Sequence, residues 1–146
     1  QRISSEGWQE EKYSPLDFNK APINELFTKD GKKCLVEVQL NGSTLHIGAW
    51  LVQLGRVKMY LLDTDIEEND PQDRKLSNRL YTADREQRLQ QEILLGIGGV
   101  RILRTMGINP SIWHANEGHT AFMMLERIRE EVARGITFSE ALEIVR

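Results

Sequence analysis

The run from Leu35 to Leu54 constrains the fold of this 146-residue chain more than any other stretch. Leu35, Val36, Val38 and Leu40 lead to Asn41-Gly42. From Thr44 onward Leu45, Ile47, Ala49, Leu51 and Gln53 fall on one side, with His46, Gly48, Trp50, Val52 and Leu54 on the other. A period of two marks a strand with two distinct faces, and Asn-Gly supplies the positive φ angles of a tight hairpin turn. A β-hairpin is therefore expected. Gly55-Arg56 turns the chain again into Val57-Lys58-Met59-Tyr60-Leu61-Leu62. That run is nearly continuous in apolar character and predicts a strand buried on both faces.

The second half changes period. Asp84 is placed to cap a long helix in which Leu89, Ile93, Ile97, Val100 and Leu103/Arg104 recur at helical spacing. Gly107 and Pro110 end it. Ser111 to Ala115, with Ile112 and Trp113, reads as a short strand, and Asn116-Glu117-Gly118-His119 as the turn after it. A helix follows from Thr120 to about Arg134, stopped by Gly135, and Thr137 with Glu140 forms a capping box for a last helix. The pattern predicts an α/β fold, a mixed sheet with packed helices. Titratable groups at the end of a strand, beside a helix start, lie where open α/β sheets hold ligands.

Residues 1–33 are polar and punctuated, with Trp8, Tyr13 and Phe18 expected to pin them to the core and Asp30-Gly31 to turn. The 19 basic and 22 acidic residues are interspersed. No basic stripe forms, so no nucleic-acid partner is expected. No apolar run approaches the ~20 residues of a membrane span, so no membrane partner is expected either. Cys34 is the single cysteine, which excludes an intramolecular disulfide and makes a reducing, cytoplasmic home the default. The sequence runs from Gln1 to Arg146 and stops inside a periodic pattern (Phe138, Ala141, Leu142, Val145), as expected of a single partial domain, 1–146, of something larger.

Several constellations invite chemistry. His114, Glu117 and His119 have the side chains of a zinc site, but Gly118 breaks the run and the two imidazoles fall on different elements. A polar ligand contact from Asn116, Glu117 or His119 is the stronger reading, beside a plain capping network in which Asn116 or Thr120 caps the helix. Gly96-Ile97-Gly98-Gly99 resembles a phosphate loop yet sits inside a helical period. Glycines there cost about 1 kcal/mol each relative to Ala, which points to another backbone packed close by. Asp63, Asp65, Glu67 and Asn69 mimic a calcium loop, but Glu68 stands where the sharp turn needs Gly and Arg74 where the bidentate Glu belongs. A solvated loop is expected instead. Arg85 to Glu92 reads as an exposed, charge-paired helix face.

Four blocks carry a resemblance to a known family. They are Gly7-Trp8-Gln9 with Glu11 and Pro15, and Val57 to Asp65 with its Tyr-Leu-Leu-Asp-Thr-Asp core. The third is Leu80-Tyr81 with Asp84-Arg85-Glu86, Arg88, Gln91-Glu92 and Leu95 to Arg101. The fourth is His114 to His119 with Ala121-Phe122. Together they resemble an internal piece of an α-glucan (glycogen/maltodextrin) phosphorylase of the short bacterial and archaeal type. Ala115 departs from the usual Leu, and Trp113 from the common Tyr or Phe.

The resemblance implies a partial Rossmann-like N-terminal domain of a GT-B glycosyltransferase, in a parent that uses α-1,4-glucan and inorganic phosphate and releases glucose 1-phosphate. It implies pyridoxal phosphate in the full-length parent, with the attachment Lys outside this chain and the fragment alone inactive. It implies Asn116, Glu117 and His119 as substrate-binding groups on the glucan side, no catalytic or cofactor-binding residue in this piece, and no metal. Apolar surface freed from its other half also allows a homo-oligomer. The rival readings are a non-catalytic carbohydrate-binding or regulatory module, and a metal-dependent hydrolase built on His114, Glu117 and His119.

Overall fold

The computed structural model describes residues 2–10, 21–40, 42–79, 82 and 84–146. Tyr13, Phe18, Asn41 and Leu80-Tyr81 lie outside the described residues. The hairpin forms as its alternation dictates. Strand β4 (Leu35–Leu40) pairs antiparallel with β5 (Ser43–Leu54), and the residues pointing inward are Val36, Val38 and Leu40 against Leu45, Ile47 and Ala49. Burying each of these Val, Leu and Ile side chains fully is worth about 1.5–3 kcal/mol.

Two short strands, β1 (Arg2–Ile3) and β2 (Gln9–Glu10), make a separate ribbon, and Trp8 beside them is 73% exposed. Among the described residues Trp8 therefore does not anchor this segment to the core as expected. Strand β3 (Ile23–Glu25) pairs with Trp50–Val52 of β5, end to end with β4 along one edge. Strand β6 (Val57–Asp63) takes the other edge of β5. All these pairings are antiparallel.

Two strand expectations need correction. β6 has only β5 beside it among the described residues, and its first half reaches past the helices, leaving Val57 64% exposed. Only Tyr60 and Leu62 of its second half pack on the core. Residues 111–115 form no strand at all. A strand needs a neighbour to receive its backbone groups, and the described residues offer this segment none.

The long helix is three pieces in one: α1 (Arg85–Ile93), a π turn at Leu94–Gly98, and α2 (Gly99–Thr105). The Glu86 amide donates to the Asp84 carboxylate, the expected cap. Helix α2 closes where the amides of Gly107 and Ile108 donate to the carbonyls of Arg104 and Leu103. This Schellman end needs the left-handed φ of +72° that Gly107 adopts. The π turn displaces the expected apolar stripe. Leu89 is exposed, while Leu94, Val100 and Ile102 are buried. Gln91 is also buried, inside the face expected to be exposed, and donates to the carbonyls of Leu76 and Arg79.

Helix α3 (Ala121–Ala133) crosses the π turn, and α4 (Phe138–Val145) folds back on α3 through Ile128, Ala141 and Val145. The capping box at Thr137 and Glu140 forms with both of its bonds. The glycine cluster serves close packing as expected: Gly96 abuts α3 and Gly98 abuts Ile47. Cys34 is buried, and burial pushes its thiol up.

The loop after β6 is less solvated than its composition suggests. Thr64 and Asn69 are both buried. Asn69 Oδ1 accepts from the His46 amide at 2.8 Å, and its Nδ2 donates to the carbonyls of His46 at 2.7 Å and Thr64 at 2.9 Å. The β5–β6 ladder ends at Gly48 and Asp63. The Asn69 side chain thus plays the part of a strand for the next exposed step of β5.

Candidate functional site

The segment between α2 and α3 carries the polar cluster Asn116, Glu117 and His119, and its backbone is held in few places. Between Ile108 and Asn116 no main-chain amide donates to another main-chain group among the described residues. Side chains replace the missing ladder. Arg104 of α2 forks onto Glu130 of α3, with Nε to Oε1 at 3.0 Å and Nη2 to Oε2 at 3.0 Å. Its Nη1 donates to Asn109 Oδ1 at 2.8 Å. The guanidiniums of Arg104 and Arg127 both lie over the Trp113 ring, 5.2 and 4.9 Å from its centroid. Glu130 holds Arg104 above its ordinary value; burial, and then the Arg104 charge, push Arg127 below its own.

A second ion cluster braces the same helices. Glu126 of α3 is 2% exposed and takes Arg101 Nε at 2.8 Å and Arg129 Nη2 at 2.7 Å. Arg101 also donates to the Glu37 carbonyl, which ties the helices to β4. Burial pushes the Glu126 carboxyl up, but hydrogen bonds and charges from Arg129 and Arg101 outweigh it. The net position is below the usual carboxylate range.

Beyond Trp113 the chain enters its most strained turn. Glu117 has φ +55° and ψ −159°, and it is the one non-glycine residue with positive φ among the described residues. That region is close to glycine-only territory and costs about 1–3 kcal/mol. Gly118 to Thr120 then form a 3-10 turn that runs into α3. The Thr120 hydroxyl does not cap the helix; it accepts from the Asn116 amide at 3.1 Å. The plain capping network is therefore not what forms here. Gly118 sits against Glu92 of α1, where a Cβ would come 3.4 Å from Oε1.

An apolar cleft of about 370 Å³ opens beside this turn, between Tyr60 and Leu62 of β6, Leu95 and Gly99 of the long helix, and Trp113. His114 and Thr120 line it; Asn116, Glu117 and His119 do not. His114, Asn116 and Glu117 are exposed and His119 half-buried. No three His, Cys, Asp or Glu side chains among the described residues come together to hold a metal ion. No helix among them is long and apolar enough to cross a membrane. Arg104, Arg127, Gln91 and Glu126 escaped the sequence reading, because their partners Glu130, Trp113, Arg79 and Arg101 each lie at least a dozen residues away.

The maltodextrin phosphorylase of Thermococcus litoralis is 44% identical over 146 residues, which is all of this chain and 18% of that protein. The glycogen phosphorylase of Mycobacterium tuberculosis is 43% identical over 153 residues, again all of this chain and 18% of that protein. The glycogen phosphorylase of Aquifex aeolicus is 38% identical over 146 residues, 21% of its length. The chain therefore spans about a fifth of the length of these relatives. No family model matches it, and no solved structure matches it.

Proposed function

Because the chain is a homologous segment of the glycogen and maltodextrin phosphorylase family, we propose that its parent protein phosphorolyses α-1,4-glucans. In that reaction the bond from C1 of the terminal glucose to the next sugar breaks, a bond from C1 to a phosphate oxygen forms, and the departing 4-hydroxyl gains a proton. Glucose 1-phosphate leaves. The parent is a GT-B enzyme, and this chain's antiparallel sheet and packed helices are part of its N-terminal domain, on the glucan side of its cleft. It works in the cytoplasm, where phosphate and phosphorylated product are retained, and self-association through the exposed cleft face is allowed.

The observation that carries the reading is the Glu117 turn. It holds a strained backbone between His114 and Thr120, which line the cleft, and leaves the Asn116 and Glu117 side chains exposed. Strain of this kind persists where function needs it. Asn116 offers both donor and acceptor, Glu117 an acceptor pair, and His119 either, which is the chemistry that reads sugar hydroxyls. They bind and orient the glucan; none is the proton donor.

Pyridoxal phosphate is the cofactor proposed for the parent. Among the described residues no lysine lines the cleft, and Lys33 pairs with Glu25 at 2.7 Å. The cofactor's attachment belongs to other parts of the parent, and this chain alone is inactive.

The test is glucose 1-phosphate release from maltodextrin by the full-length parent, with and without inorganic phosphate. Strictly phosphate-dependent release is expected. Phosphate-independent sugar release would mean a hydrolase, and binding without either product would mean a carbohydrate-binding module.

A further inference from the structure

We infer that Trp113, held by the guanidiniums of Arg104 and Arg127, is the positioning residue that fixes the Asn116–His119 turn and so sets glucan affinity. The second half of that statement rests on the function proposed above; the first does not.

A turn with Glu117 at φ +55° relaxes unless it is gripped from both sides. On the C-terminal side the grip is plain, because Gly118 to Thr120 run into α3 and the Thr120 hydroxyl holds the Asn116 amide. On the N-terminal side no main-chain hydrogen bond to another main-chain group is made between Ile108 and Asn116 among the described residues. Ile112 is 83% exposed and contributes little. Trp113 is the last anchored side chain before the turn. Its anchors come from two helices, Arg104 from α2 and Arg127 from α3, so the ring registers the segment against both. Arg104 is itself locked by Glu130 and also holds Asn109 at the start of the segment. An aromatic face takes a guanidinium by its quadrupole, and planar guanidinium stacks where a lysine ammonium does not. The ring also walls the cleft.

The experiment uses the full-length parent carrying Trp113→Ala or Trp113→Phe. Exchange of the Asn116 amide, which donates to the Thr120 hydroxyl, is followed without substrate, against β5 as internal reference. Trp113→Ala is expected to speed exchange there by about tenfold, with Trp113→Phe close to wild type because it keeps an aromatic face. In the phosphorolysis assay Trp113→Ala raises KM for maltodextrin by a similar factor and leaves KM for phosphate unchanged. Unchanged exchange in Trp113→Ala overturns the inference whatever the activity does. Faster exchange with both KM values moving together, or with lower thermal stability alone, overturns the affinity half. A parent with no phosphorolysis overturns the function reading, and the exchange result still decides the positioning.

Discussion

A Cβ placed on Gly96 would lie 2.7 Å from the amide nitrogen of Met123, with the Phe122 carbonyl carbon and Cβ within 2.8 Å. The π turn and the start of α3 are therefore in backbone contact, and no rotamer change can make room. Gly96→Ala should cost about 3 kcal/mol, at the upper end of overpacking, read as a fall in urea midpoint at constant slope.

Gly98 is a different case. Its missing Cβ would meet Ile47 Cδ1 at 2.6 Å, the far end of a side chain that can be shortened. Gly98→Ala should cost about 1–2 kcal/mol on its own. Combined with Ile47→Val, much of that loss should return, giving a coupling energy of about 1 kcal/mol in a double-mutant cycle. Simple additivity would mean the two residues do not meet.

Asn69 completes the edge of β5 by accepting from the His46 amide and donating to the His46 carbonyl. Asn69→Ala strands these buried groups and should destabilise the chain by about 1–3 kcal/mol. Asn69→Asp should be worse at neutral pH, because a carboxylate would face the carbonyls of His46 and Thr64. Urea midpoints for the two variants at pH 5 and pH 7 separate these effects.

The depressed pKa of Glu126 makes stability depend on acidity in one direction. Unfolded, the carboxyl titrates near 4.5; folded, it titrates lower. Its contribution is complete above about 4.5 and disappears as pH falls through the folded value. Glu126→Gln should lose about 2 kcal/mol at pH 7 by leaving Arg101 and Arg129 with a neutral partner. The gap to wild type should close on acidification. A gap independent of pH would show that the ion cluster is energetically idle.

Glu117 offers a test of backbone strain apart from any ligand. Glu117→Gly should be more stable than Glu117→Ala by about 1 kcal/mol, since only glycine is at ease near φ +55°. Equal midpoints for the two variants would mean that the turn carries no strain.

What the sequence revealed was local. The alternation of Leu35 to Leu54, the Asp84 cap, the Gly107 stop and the Thr137–Glu140 box all name partners within a few residues, and all are in place. The glycine cluster was readable too, because helical spacing on both sides argued against a loop. The failures involve partners that the chain supplies from far away. Ile112 and Trp113 suggested a strand, but pairing depends on a neighbour, and what holds Trp113 is a pair of arginines on two helices. Asn69 looked like a loop residue because its partner His46 lies 23 positions earlier. At the candidate site the polar cluster was legible by composition, while the positive φ of Glu117 was not, since nothing in a Glu side chain asks for it.

The π turn has a consequence for how this helix tolerates change in length. An α-helix advances about 100° per residue, and a π turn takes up about one residue more than the frame allows. Arg85–Ile93 and Gly99–Thr105 are therefore two phases spliced within Leu94–Gly98. Deleting one residue there would bring them into a single frame. Because the π turn already absorbs that residue, Arg101 and Arg104 would keep facing Glu126 and Glu130, whereas one more residue taken up as ordinary α-helix would rotate them away by about 100°. The centre of this helix should therefore tolerate the loss of a single codon far better than the gain of one.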